Sequence, residues 1–410
     1  MGISNRSALV EKSTLDSAAR GGPGAPDSRT NPRDRPLLVW LLQGPYEGDN
    51  AQVRSIGEAL PWPAELKTVY FTSMRAIRRN IRTAVDPQRS SEIAPPWPDL
   101  VIACGRFYCR LAQWIKAQSG GHTQHVQMGR IGCALDKIDL MLSLPQYGIP
   151  RAKNVIPLTL PIVQVNPLRQ AERADHWQPL LAHLPRPWTA ILVGGPAMTV
   201  DFTTADARRL LDRICHLQAA TGGAVLVAYG HRTPLKVKQI LEQGLAARAE
   251  LAHFVIGWPP PDPNPYQGLL ALADRFLVTC DSVSMIADAS LTGRPAEIFR
   301  LPIASFKTRL SSRGLGLSLD ARRRRRNRAG RPADLLDRLR DVLVARHLMR
   351  PWDDLRDVLH ELERTGLTKA GAGSDDGAVM IDMRSASTLQ NRELALIERQ
   401  IVELVAGASA

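Results

Sequence analysis

The 410-residue chain has no run of about 18 uninterrupted apolar residues, the length a membrane-crossing helix needs. Its start mixes Arg6, Glu11, Lys12 and Asp16 among small side chains, so it lacks the apolar centre of a secretory signal. Five scattered cysteines, at 104, 109, 133, 215 and 280, match neither a disulfide framework nor a zinc-ligand spacing. A reducing, cytoplasmic compartment is the expectation, with the chain at most peripheral at the inner face of a membrane. A P-loop, HExxH, GxSxG and a metal-ligand cluster are all missing, so neither a metal nor a cofactor is expected. The loop Gly44 to Gly48 is not GxGxxG, which argues against a dinucleotide oxidoreductase. Aromatic residues make up only 5%.

What is present is an ordinary apolar fraction, 44%, and enough chain for two to three domains of roughly 150 residues. The net charge of +13 is concentrated. Residues 300–350 hold 15 Lys or Arg against four Asp, centred on Arg322, Arg323, Arg324, Arg325 and Arg326 with Arg328. Such a patch attracts anionic lipid, nucleic acid or phosphorylated metabolites, and its plain alternative is a solvated basic loop. No aromatic side chain interleaves the arginines, which weakens the nucleic-acid reading.

Residues 1–35, rich in Gly, Ser, Pro and Arg, read as a disordered tail. Short apolar runs then alternate with Gly-containing loops and helical patterns. Strands are expected at 37–42, 66–70, 99–104, 124–128, 139–143 and 154–157, with a helix from Asp49 or Asn50 to Leu60. Pro167, Pro179, Pro185 and Pro187 interrupt the rhythm. A second series follows, with strands at 190–193, 224–229, 254–256, 275–279 and 296–299. The pattern predicts an α/β chain of two Rossmann-like domains facing across a cleft. The expected divisions are an N-terminal domain at 36–165, a connection at 166–188, a C-terminal domain at 189–350, a helix at 351–366, and a linker with an amphipathic helix at 367–410. A Ser387…Gln390 capping box is expected to open that last helix, whose apolar stripe either packs on the chain itself or faces a partner.

In doubly wound sheets ligands bind beyond the C-terminal ends of strands. The stretch Asp281-Ser282-Val283-Ser284 ends a strand and opens a helix, a ready site for a phosphate or diphosphate. Asp288, four residues past Ser284, lies on the same face and suits a ribose hydroxyl; the alternative is a capped structural helix. Gly194-Gly195 permits close backbone approach, and Arg232-Thr233 after another strand offers a phosphate clamp. In the N-terminal half, Glu47 and Asp49 are candidate bases, although Asp49 also suits a helix cap. Gly48, Gln52, Arg106 and Arg130 stand on the same presumed cleft, the two arginines each following a Gly that ends a strand.

Asp281 to Ala289, followed by Gly293-Arg294-Pro295, resembles the nucleotide-sugar segment of GT-B glycosyltransferases. A wider set resembles the mitochondrial fission ELM (elongated mitochondria) family over roughly residues 37–300. It runs from Gly44…Gly48-Asp49…Gln52 through Trp97-Pro98-Asp99, Gly105-Arg106, Gly129-Arg130 and Asn154-Val155. It continues with Gly194-Gly195, Arg232-Thr233-Pro234, Asn264-Pro265-Tyr266, Ala273-Asp274 and Thr279 to Met285. Asp288 stands where the family has Glu, and Gly230-His231 where it usually has Ser-Arg. The resemblance implies a GT-B-like fold and a metal-independent transfer of sugar from a nucleotide-diphospho-sugar. Gly194, Gly195, Arg232, Thr233, Asp281, Ser282, Val283, Ser284 and Asp288 would then bind the donor. Glu47 or Asp49 would act as base, and Arg322–Arg326 would dock an anionic membrane near the acceptor. The alternative is a non-catalytic chain with the same fold, acting as a membrane- or partner-binding module.

Overall fold

A computed structural model describes residues 36–164, 167–197, 199–257, 264–302, 314–370 and 379–408. The expected tail at 1–35 and the expected Gly/Ser linker at 371–378 lie outside the described residues.

The first sheet contains β1 (Val39–Gln43), β2 (Ala64–Thr68), β3 (Leu100–Cys104), β4 (Gln124–Met128), β5 (Leu140–Ser143) and β6 (Val155–Pro157). Their order is β2-β1-β3-β4-β5-β6, with every pairing parallel. The runs VWLLQ and LVIAC are buried throughout because helices cover both faces of a parallel sheet. The helices α1 (Glu47–Ala59), α2 (Met74–Arg79), α3 (Ile81–Ala84) and α4 (Arg106–Gln118) connect its first strands. Ser73 and Asn80 cap α2 and α3 through their side chains, and the sequence reading had no element for either helix.

Within the expected connection at 166–188, residues Pro167–Leu181 form helix α5, with Pro179 inside it. Pro167 stands at its first position, where the missing N–H costs nothing.

The second sheet has β7 (Trp188–Val193), β8 (Ala224–Tyr229), β9 (His253–Ile256), β10 (Arg275–Thr279) and β11 (Ala296–Phe299), parallel in the order β11-β10-β7-β8-β9. Helices α6 (Thr204–Thr221), α7 (Leu235–Ala246), α8 (Tyr266–Leu272) and α9 (Val283–Leu291) accompany it. An antiparallel pair, β12 (Thr368–Ala370) and β13 (Val379–Ile381), extends the edge beside β11. The two sheets form the expected GT-B-like pair of Rossmann-like domains.

Four more helices follow: α10 (Gly314–Arg328), α11 (Leu335–Ala345), α12 (Leu355–Arg364) and α13 (Met383–Ala408). The last joins the two cores. Ala386 packs with the second sheet, while Ile397, Ile401 and Val405 pack with Val39, Leu41 and Ile56 of the first domain. Its stripe is therefore covered by its own chain. The helix starts at Met383, where Asp382 accepts from Ser385 N at 3.3 Å, so Ser387 lies inside the helix and does not cap it.

The arginine run is a helix rather than a loop, and it is not a free basic patch. Helical spacing turns its side chains towards carboxylates on α11 and α12. Arg324, 3% exposed, donates to Asp320 at 2.9 Å and pairs with Asp357. Arg322 holds Asp334 and Asp337, Arg323 holds Asp341, and Arg326 holds Asp337. Arg325 stays exposed. Of the five arginines expected to form a membrane patch, four are thus engaged in ion pairs within the chain and Arg325 alone is exposed.

This lattice also fastens the two domains. Arg324 Nη2 donates to the Gln146 carbonyl at 3.3 Å, and Arg340 Nη2 to the Gly148 carbonyl at 2.7 Å. Both carbonyls belong to the turn after β5. Gly148 has φ +59°, and a Cβ there would meet Arg324 Nη2 at 2.3 Å, so two constraints require glycine. Asp320 serves Arg324 and Arg340 together and is 1% exposed. Asp320→Ala removes the carboxylate that two buried guanidinium groups share, leaving Arg324 with Asp357 and Arg340 with Asp341, and urea unfolding is expected to register a loss of about 2–3 kcal/mol. Arg325→Ala, on the exposed side of the same helix, is expected to stay within about 0.5 kcal/mol.

Candidate functional site

Strand order reverses between β1 and β3 in the first sheet and between β7 and β10 in the second. A loop that leaves such a switch point opens a crevice at the sheet's carboxyl edge. The loops after β1 and β10 meet there across a cleft of about 600 Å³. Gly48, Asp49, Gln52 and Arg130 line one wall, and Arg232, Asp281, Ser282, Val283 and Ser284 the other.

The N-terminus of α1 faces that of α9. A Cβ on Gly48 would lie 3.4 Å from Ser284 Oγ, so the two helix starts adjoin. Their free N–H groups and dipoles favour negative charge in the space between them. Asn50 shapes the α1 entry, accepting from Gly44 N and donating to Gly44 O, both at 2.8 Å. Ser282 is the N-cap of α9 but makes no side-chain cap bond, and its Oγ lies 3.4 Å from that of Ser284.

Asp281 organises the second wall from beneath. It is buried, accepts from Gly195 N at 2.7 Å and from Arg232 Nη2 at 3.3 Å. Burial pushes its carboxyl pKa up, while Thr279, Arg232 and the Gly195 N–H pull it down. Arg232 also donates to Pro196 O at 3.2 Å, which holds the guanidinium at the rim. A Cβ on Gly194 would fall 2.1 Å from Asp281 Oδ2, so that close approach requires glycine. Thr233 is buried and donates to Gly194 O at 2.6 Å while accepting from Gly230 N at 3.1 Å. Gly194, Gly195 and Thr233 thus set the loop and do not line the cleft, although Pro196 and Ala197 do.

On the first wall Asp49 is half-buried in the opening turn of α1. Burial raises its pKa, against a hydrogen bond with Cys104 and the charge of Arg130. It does not cap the helix; Tyr46 is the N-cap. Glu47 points outward, 73% exposed, and pairs with Arg54. Gln52 donates to Gly48 O at 3.2 Å. Arg106 stacks over the Phe107 ring at 4.6 Å and is not part of the cleft lining.

Arg130 is engaged from the far end of the chain. Its Nε donates to Asp353 Oδ1 at 3.0 Å and its Nη2 to Oδ2. Asp353, with Leu355, Gln146 and Tyr147, also lines the cleft. Sequence reading missed all four: Gln146 and Tyr147 stand in the turn directly after β5, where the strand-end rule could have found them, whereas Asp353 and Leu355 follow no strand.

Asp288 stands one turn below the α9 start, outside the lining. It accepts from Tyr266 Oη at 2.7 Å. Burial raises its pKa to about 6, with the Tyr266 bond lowering it and the Glu47 charge raising it.

The family model for mitochondrial fission ELM1 matches residues 47–352. The chain belongs to that family. It is 28% identical over 245 residues to the mitochondrial fission protein ELM1 of Arabidopsis thaliana, covering 53% of this chain and 56% of that one. An uncharacterized protein of Rickettsia prowazekii (strain Madrid E) is 28% identical over 171 residues, 40% of this chain and 45% of that one. The chain spans about half the length of the curated relatives it matches. Among solved structures, UDP-GlcNAc 2-epimerase from Methanocaldococcus jannaschii has a TM-score of 0.40 at 11% identity, covering 64% of this chain and 84% of that one. MurG of Acinetobacter baumannii has 0.34 at 12%, covering 89% and 100%. Among the described residues no helix is long and apolar enough to cross a membrane.

In this ELM1-family chain Asp288 sets a pH dependence. The folded state holds its proton more tightly than the unfolded state, so this group favours folding most at low pH. That contribution is lost as pH rises from 3.8 through about 6. In Asp288→Asn the loss is absent, and denaturant unfolding across that window is expected to give a flatter stability profile than the wild type.

Proposed function

We propose that the cleft binds a nucleotide-diphospho-sugar and that the chain transfers the sugar to an acceptor hydroxyl without a metal. The supporting observation is the opposition of the α1 and α9 N-termini, with Arg130 and Arg232 beside them, around a space of about 600 Å³. That volume lies within the range of small-molecule sites, and the local field favours an anion. The diphosphate rests on the backbone of Ser282, Val283 and Ser284, with Arg232 beside it, and Asp288 receives a ribose hydroxyl. Asp49 takes the acceptor hydroxyl's proton as that oxygen bonds to the anomeric carbon. The nucleoside diphosphate leaves with the electrons of the broken carbon–oxygen bond, its charge held by the helix start and Arg232. Asp49 suits this role better than Glu47, which faces solvent and holds Arg54.

A second reading, a binding module without transfer, is favoured by one contact. With Arg232 paired to Asp281, Asp353 fills the fork of Arg130, so both cleft arginines are ion-paired within the chain. Removing that carboxylate frees the guanidinium, so Asp353→Asn is expected to tighten pyrophosphate binding several-fold by calorimetry. An unchanged affinity would remove Arg130 from the anion site.

The donor site is tested by thermal shift with nucleoside diphosphates and their sugars. A ligand at about 100 Kd stabilises by roughly 2.7 kcal/mol. One nucleotide is expected to shift the wild type and not Asp288→Ala, and its effect is expected to weaken below about pH 6, where Asp288 takes up a proton. No shift with any of them refutes the donor site. Asp49→Asn is expected to keep the shift and to slow nucleoside diphosphate release about 10²–10⁴-fold. Binding without release in the wild type selects the module over the enzyme.

A further inference from the structure

Helix α11 is inside out. A helix on the surface of a water-soluble domain normally buries its apolar stripe and shows its charges. Here Asp337 and Arg340 are 1% and 2% exposed, consumed by the ion-pair lattice. Leu335, Leu336, Leu339 and Val342 are 81%, 46%, 48% and 55% exposed. Positions 335, 339, 342 and 346 fall on one face at helical spacing, opposite Asp337, Arg340 and Val344. Arg346 ends that face and Arg338 flanks it, and both are exposed, as are Arg325, Arg331 and Arg350 on the adjoining segments. The stretch's own acids, Asp334, Asp337 and Asp341, are all paired with arginines of α10 or with Arg340. The outward surface is therefore aliphatic at its centre and cationic at its edge, with its carboxylates already in ion pairs.

We infer that α11 docks the protein on an anionic phospholipid bilayer. Its leucines and Val342 enter the boundary between headgroups and acyl chains, and Arg338 and Arg346 meet the lipid phosphates. An amphipathic helix with an aliphatic face and a basic rim binds in this way, lying in the plane of the interface. Charge complementarity selects anionic over neutral lipid. A protein partner is the weaker occupant, because residues 335–350 contain no Trp, Tyr or Phe, and aromatic anchors dominate protein interfaces. The surface differs from the arginine run expected from sequence, whose side chains the lattice engages. It also stands apart from the nucleotide reading, since none of these side chains lines the cleft.

The test is vesicle flotation of the full chain, with circular dichroism as the fold control. Vesicles of phosphatidylglycerol mixed with phosphatidylcholine are compared with phosphatidylcholine alone. The wild type is expected to float with the mixed vesicles and stay behind with the neutral ones. The double variant Leu339→Glu with Val342→Glu is expected to lose at least about tenfold in affinity while keeping its spectrum. Arg338→Glu and Arg346→Glu are each expected to lose about fivefold or more, less so at high salt. The nucleotide thermal shift serves as a separate readout, and these variants are expected to leave it as in the wild type. Wild-type protein that ignores the mixed vesicles overturns the inference, as does a folded double variant that floats equally well. A wild-type dimer in light scattering that the double variant converts to monomer also overturns it, because the face is then covered by a second copy.

Discussion

The carboxylate of Asp320 organises the ion-pair lattice that ties α10 and α11 to the turn after β5. Two arginines from different helices converge on it, and each also reaches a carbonyl of the turn after β5 in the first domain. Buried ion pairs of this kind add little net stability compared with apolar packing, because desolvation consumes most of the Coulomb gain. What they supply is direction. A guanidinium has donors in a fixed plane, so satisfying Asp320 and a carbonyl together leaves few relative placements of the domains. The segment that carries Trp352, Asp353 and Asp354 is tied to the same turn through Asp354 N and Gln146 O at 3.0 Å. Asp353 reaches Arg130 from that tether, so the lattice and the cleft share one segment.

The cleft's chemistry follows from a division of labour among acids. Asp281 is spent on structure, and its charge holds Gly195 and Arg232 where a ligand's phosphate would find a backbone and a guanidinium. Asp288 keeps its carboxyl one turn away, beside Tyr266, with a pKa of about 6 that makes it an acceptor at neutral pH. Asp49 lies opposite, with burial raising its pKa and Arg130 opposing that rise. Environment, rather than residue type, separates the roles.

Much of this was legible in sequence for one reason: strands of a parallel sheet covered on both faces read as continuous apolar runs. VWLLQ and FLVT each end at the small or polar residues that open the cleft. The loops could therefore be placed, but not the direction of their side chains. Thr233 and Gly194 sit in the right loop and face inward, and Arg106 follows a strand yet stacks on Phe107. Helix α5 was hidden by its prolines, Pro167 at its start and Pro179 inside its last turn. The β12–β13 pair is too short to show a period. Asp353 reaches the cleft only through a contact between segments far apart in sequence, which local pattern does not encode, whereas Gln146 follows β5 and stood at a readable strand end.

The arginine run shows the same limit with a different consequence. Read as a string, five consecutive arginines are a polyanion site. Wound into a helix, they point around its circumference, and each meets whatever the neighbouring elements offer. Here the neighbours offer Asp334, Asp337, Asp341 and Asp357, so most of the charge is spent within the fold. Spending it has a geometric cost for α11. A helix has one circumference, and a face committed to Asp337 and Arg340 cannot also bury Leu335, Leu339 and Val342. Those side chains are left outside among exposed arginines, which is why a basic stretch that fails as a simple patch still produces an amphipathic surface with cationic edges.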